Sequence, residues 1–95
     1  MRVEAAALLL LLMVAAVQAQ PAPPPQTLAQ CAACHGERGV STLIGVPSLA
    51  AQPKVFTETQ LVLMREGLRE VSAMRVVLKG MSDETISALA GYFAA

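Results

Sequence analysis

Cys31-Ala32-Ala33-Cys34-His35 is the stretch on which the fold turns. On a helix, two thiols three residues apart face the same way, and here an imidazole follows at once. That is the spacing of c-type haem attachment, in which two thiols add across the two vinyl groups of haem and the adjacent histidine takes one axial position on the iron. Other chemistries use parts of the same pattern. A thioredoxin-type dithiol expects strand–helix–strand surroundings, and no segment of this chain alternates as a strand does. Structural zinc takes four ligands, yet the chain holds no Cys or His beyond Cys31, Cys34 and His35, so a carboxylate would have to complete the site. A disulfide between Cys31 and Cys34 would close too short a loop to stabilise much.

Working outward, roughly 70 residues from Thr27 to Ala95 are left to fold, a size at which side-chain packing alone is marginal and an added staple is usual. A covalently held macrocycle supplies one. Three segments carry helix signals. Thr27-Leu28-Ala29-Gln30 has the spacing of a capping box and predicts a short helix over 28–35. Thr57-Glu58-Thr59-Gln60 repeats it, with Phe56 and Leu61 set as a hydrophobic staple and Gly67 ready for the left-handed C-terminal turn, predicting a helix over 58–66. Ser82 caps the last helix, Asp83 and Glu84 suit its positive end, Met81 can staple onto Ile86, and Ile86, Leu89, Ala90 and Phe93 make one apolar stripe. Gly36 to Lys54, rich in Gly, Pro, Ser and Thr, reads as a long loop.

Upstream, positions 5–17 are apolar without interruption. With Arg2 ahead and Val17-Gln18-Ala19 behind, residues 1–19 read as a secretory signal peptide cut after Ala19. The run is shorter than the ~20 residues a bilayer helix needs, so no stable membrane insertion is expected. Residues 20–26, Gln-Pro-Ala-Pro-Pro-Pro-Gln, read as an extended leader outside the core, and 27–95 as a single domain. The overall 55% apolar content is inflated by the first block: from Gln20 onward 36 of 76 residues are apolar, an ordinary soluble value. Seven basic residues balance seven acidic ones, without the excess a nucleic-acid binder needs.

With these residues in view, the chain from about Cys31 to Phe93 resembles the small bacterial monohaem class I cytochromes c. That family reads as a haem motif followed by Gly, a Pro-x-Leu-Ala element, an aromatic, a Gln-Leu pair, an Arg-x-Gly-x-Arg stretch, a ligand Met and a Ser-Asp-Glu-capped helix ending in an aromatic pair. The counterparts here are Cys31 to Gly36, Pro47-Ser48-Leu49-Ala50, Phe56, Gln60-Leu61, Arg65-Glu66-Gly67-Leu68-Arg69, Met74, and Ser82-Asp83-Glu84 running to Tyr92-Phe93. The resemblance implies an all-α cytochrome c fold, three to four short helices and loops wrapped around one covalently bound haem c. It further implies His35 as proximal ligand, Met74 as distal ligand, and the Pro47 carbonyl accepting a hydrogen bond from the second ring nitrogen of His35. One departure is the N-terminal helix, usually longer in the family and crossed by the last one.

Met64 and Met81 compete with Met74 for the sixth position. Met64 lies inside a helix and reads as packing, Met81 as a staple. Met74 itself, with Val77, Leu78 and Met81, also makes a helical core stripe, so packing remains open for it. Met74 is expected in a connecting segment before a short helical turn ending at Gly80.

Closed axial positions leave iron no site for oxygen or peroxide, which favours an electron carrier over an enzyme. The expected function is a periplasmic one-electron shuttle. Its expected partners are a membrane respiratory complex or periplasmic dehydrogenase as donor and a terminal oxidase or similar acceptor. Two alternatives stay open: a dedicated haem subunit of a periplasmic dehydrogenase, and a sensor or peroxidase-like protein with a displaceable Met. Arg65, Arg69, Arg75 and Lys79 read as solvated surface, or as contacts to propionates or a partner.

Overall fold

A computed structural model describes residues 21–95; the expected signal peptide and Gln20 lie outside the described residues. Among the described residues four helices form, α1 (Pro25–His35), α2 (Lys54–Arg65), α3 (Ser72–Leu78) and α4 (Asp83–Ala94), with a 3-10 turn at Glu37–Gly39. Among the described residues there is no strand.

α4 behaves as its sequence predicts. The Ser82 hydroxyl accepts from the Thr85 amide at 3.1 Å, Asp83 and Glu84 occupy the first turn, and Ile86, Leu89, Ala90 and Phe93 are all buried. Those residues meet Leu61 and Met64 of α2 and Leu78 of α3 in one core, against which Leu28, Cys31, Leu49, Met74 and Met81 are partly buried. Met64 is therefore packing, as expected. Tyr92 and Phe93 stand edge to face, with ring centroids 5.1 Å apart.

Two helix starts differ from the sequence expectation, and proline explains both. α1 begins at Pro25, with Pro24 at the N-cap, so Thr27 lies inside the helix and Pro25 and Gln26 leave the leader to join it. A proline in the first helical turn loses nothing by lacking an N–H and has its φ already set. Pro23 is buried, and Pro21, Ala22 and Pro23 line one cleft with Ala88, Gly91 and Tyr92 of α4, so this part of the leader rests on the domain. α2 likewise starts at Lys54 behind Pro53; Thr57 becomes a buried residue of its first turn rather than a cap, and Phe56 stays half exposed instead of closing a staple. Its end is as expected: Gly67 takes a φ of 78°, and the Leu68 and Arg69 amides both reach the Leu63 carbonyl.

The third difference concerns Met74, which lies inside α3 rather than in a connecting segment. Nothing from Ser72 to Leu78 breaks a helix, so the turn extends back to Val71 and places Met74 one turn ahead of buried Leu78.

The long loop is closed by its neck. The Leu49 and Ala50 amides donate to the Gly39 carbonyl at 2.7 and 3.1 Å, the Ser41 amide donates to Ser48 Oγ at 3.0 Å, and the Ala51 amide donates to the Phe93 carbonyl at 2.9 Å. Two glycines permit this. At Gly36, φ 83°, a Cβ would lie 1.9 Å from the Val40 carbonyl oxygen; at Gly39 it would meet Phe93 Cδ1 at 2.8 Å. Both are close approaches of backbone that a side chain forbids.

Replacing Leu78 or Ile86 with Ala should lower stability by about 2–5 kcal/mol, the usual cost of emptying a filled core site, read from the urea unfolding midpoint of the holoprotein. Gly36→Ala should be at least as harmful as either; an unfolding midpoint equal to wild type would refute the close approach at this turn.

Candidate haem site

α1 positions the attachment residues. Cys31 and Cys34 are separated by roughly 4.5 Å of helical rise and less than one turn, so both thiols project from neighbouring points on the last turn of the helix. Both are free thiols. Cys31 is half-buried against the core, and this burial pushes its thiol above the ordinary range, opposed in part by a backbone hydrogen bond, so it is protonated at neutral pH. His35 ends the helix; the Gly36 amide closes the last turn on the Ala32 carbonyl at 3.0 Å, and the left-handed Gly36 then turns the chain away.

The ring of His35 is buried, and its Nδ1 lies 2.7 Å from the Pro47 carbonyl oxygen. A carbonyl can only accept, so Nδ1 is the donor, and in the neutral ring the lone pair is then on Nε2. The loop neck makes this contact possible, since it returns Pro47 to a residue twelve positions earlier in the chain. A ligand imidazole is commonly fixed in tautomer and orientation by such a bond, which also raises its basicity.

The donor set fits a haem. Two unpaired thiols on one helical turn and an imidazole with Nε2 as its available nitrogen are what covalent attachment and a first iron ligand require, and Met74, partly buried against the core on a separate helix, carries a thioether of the kind a second ligand needs. The same residues do not fit zinc: among the described residues no group of three or more His, Cys, Asp or Glu side chains comes together to hold a metal ion.

Of the four cations read as surface, Arg65 departs from that reading. Its side chain is only 17% exposed and makes three contacts: Nε to Glu66 Oε1 at 2.8 Å, Nη1 to Asp83 Oδ1 at 2.7 Å, and Nη1 to the Met81 carbonyl at 2.9 Å. Hydrogen bonds to Asp83 and Glu66 hold its guanidinium above its ordinary pKa. Arg69 donates to Gln60 Oε1 at 2.6 Å, and Arg75 stands 3.9 Å from Glu70. No sequence spacing rule pairs Arg65 with residues 16 and 18 positions on; a basic residue at a helix C-terminus explains itself locally through the dipole.

No family model matches the chain. Cytochrome c4 of Pseudomonas aeruginosa is 36% identical over 66 residues, covering 70% of this chain and 33% of the relative. A thiosulfate dehydrogenase electron acceptor of Stutzerimonas stutzeri is 33% identical over 72 residues, covering 73% and 33%. Cytochrome c-554(548) of Halomonas halodenitrificans is 30% identical over 69 residues, covering 70% of this chain and 83% of the relative. The chain thus spans about a third of the first two relatives and most of the last. The crystal structure of reduced recombinant cytochrome c4 from Pseudomonas stutzeri superposes with a TM-score of 0.63 and 28% identity, covering 80% of this chain and 51% of that one. Overlap over most of a relative's length, on an all-helical fold of the same kind, makes this chain a member of the small class I cytochromes c, with their covalently attached haem c as its cofactor.

Proposed function

We propose that this chain is a one-electron carrier of the periplasm, exported on residues 1–19. Cys31 and Cys34 form the two thioether bonds, His35 is the proximal ligand and Met74 the distal one. The observation that carries the reading is the 2.7 Å contact between His35 Nδ1 and the Pro47 carbonyl, which leaves a buried imidazole with one nitrogen free beside two unpaired thiols.

When bound, the haem supplies a single iron redox couple. The protein's residues determine how that couple is used. His35, held by Pro47, would keep one orientation and one tautomer, so little would have to reorganise when bound haem changes oxidation state. Met74 would supply a soft thioether, which favours ferrous iron, and with His35 it would leave no ligand position for oxygen or peroxide. Bis-histidine ligation is impossible within the chain, because His35 is its one histidine. The zero formal net charge gives little long-range steering toward a partner, so docking depends on a small, short-lived contact.

Among the described residues no helix is long and apolar enough to cross a membrane. The partners proposed are redox proteins: a periplasmic dehydrogenase or membrane respiratory complex as donor, and a terminal oxidase or similar acceptor. A second reading, a haem subunit fixed to a dehydrogenase, is favoured by the Stutzerimonas relative, named as the electron acceptor of thiosulfate dehydrogenase. Monomeric holoprotein in size-exclusion chromatography supports the free carrier, and co-purification with a larger enzyme supports the subunit.

Expressed with a cytochrome maturation system, the chain should keep its pigment through denaturing extraction, and the double variant Cys31→Ala, Cys34→Ala should release it. Met74→Ala should abolish the thioether-to-iron charge-transfer band, admit carbon monoxide to the reduced protein and lower the midpoint on the order of 100 mV, a small part of the ~0.8 V over which axial ligands move haem potentials. An unchanged spectrum in that variant would falsify the ligand assignment. Bimolecular electron-exchange rates should change little between low and high salt; a steep salt dependence would contradict weak steering.

A further inference from the structure

Arg65 is the last residue of α2 and Asp83 the first of α4, so the two bound the 66–82 segment that carries Met74. One nitrogen of the guanidinium, Nη1, reaches both the Met81 carbonyl at 2.9 Å and Asp83 Oδ1 at 2.7 Å. Ion pairs between exposed groups contribute little, and Asp83 and Glu66 are exposed at 78% and 55%. The carbonyl bond is different, because it is part-buried and charge-assisted and restrains backbone rather than a mobile side chain.

Within the segment itself restraint is uneven. α3 has seven residues, no side-chain N-cap and one fully buried residue, Leu78, while Val71, Met74 and Met81 pack against the core only in part and Arg69 bonds Gln60 of α2 near the segment's start. The near end is tied to α2 by the Leu68 and Arg69 amides on the Leu63 carbonyl. At the far end, the Met81 amide bonds within the segment, to the Leu78 carbonyl. Arg65 supplies the side-chain tie from α2 to that end, closing a loop of 16 positions whose open form has many more conformations.

We infer that Arg65 is a positioning residue for the distal iron ligand: by bracketing the 66–82 segment at the Met81 carbonyl and Asp83, it slows the departure of the Met74 thioether from iron. The inference rests on the ligand assignment proposed above. It gives Arg65 a role in how firmly the sixth position is closed, separate from any contact with haem or with a partner.

The test uses the holoprotein and carbon monoxide as probe, since the gas binds reduced iron only after the thioether has left. Binding rates are measured well below the Tm of each variant, beside hydrogen exchange of the backbone amides. Arg65→Met should bind carbon monoxide on the order of tenfold faster, the factor that goes with losing one charge-assisted hydrogen bond, and exchange should quicken selectively over residues 68–81. Arg65→Lys, which keeps the charge but lacks the planar fork, should fall between wild type and Arg65→Met. Glu66→Ala, which removes only the neighbouring ion pair, should leave the rate unchanged. Wild-type rates in both Arg65 variants overturn the inference, as does exchange that quickens evenly through the protein while carbon monoxide binding stays constant. Should Arg65→Met fail to accumulate, Arg65→Lys and Arg65→Gln decide on the same criterion. Met74→Ala separates the two ideas: if it binds the gas no faster than wild type, the ligand assignment fails; if it binds fast while the Arg65 variants do not, only the role of Arg65 fails.

Discussion

The hydrogen bond from His35 Nδ1 to the Pro47 carbonyl joins the two halves of the architecture. On one side of it is the rigid end of α1, which fixes both thiols and the imidazole by helical geometry alone. On the other is a loop that would wander without its neck at Gly39, Ser41, Ser48 and Leu49. The bond is short, its acceptor is a backbone atom, and its donor is buried, so it has no long flexible side chain to reorder and little competition from water. α4 helps to hold the loop partner in place: Phe93 seats the loop through Ala51 and limits Gly39 to a residue without a side chain.

The core is built on the opposite principle. It is small, with contributions from α2, α3 and α4, while α1 enters it only through partly buried Leu28 and Cys31. A domain of this size is near the limit of what apolar packing can stabilise by itself, and a haem joined to α1 as proposed would compensate for a helix that has little core of its own. On that reading Cys31 and Cys34 would have a structural duty besides a chemical one.

Much of this was legible in the chain itself, and the exceptions share a cause. The attachment pentapeptide, the Ser82 cap, the stripe of Ile86, Leu89, Ala90 and Phe93, and the left-handed Gly67 are all local patterns, and the structure contains each helix feature where the pattern puts it. The Thr27 and Thr57 capping boxes misplace two helix starts because a proline one turn earlier offers an equally good beginning, and a motif alone cannot rank the two. Met74 moves into α3 for a similar reason, since nothing before it stops the helix. The contact of His35 with Pro47 follows from likeness to a family rather than from spacing, and Arg65 reads as surface in the sequence because its partners lie 16 and 18 residues away, beyond any local pattern.

The loop neck has a bearing on how this protein can diverge. Residues 42–46 lie beyond the bonds that close the neck and short of Pro47, and Ile44 at their apex is fully exposed. The tip keeps its shape by short-range bonds of its own, from the Leu43 amide to Ser41 Oγ at 3.2 Å and from the Val46 amide to the Leu43 carbonyl at 3.3 Å, and it is joined to the imidazole only through Pro47. Side chains at the apex can therefore be exchanged over evolutionary time so long as that small turn and its proline anchor are preserved.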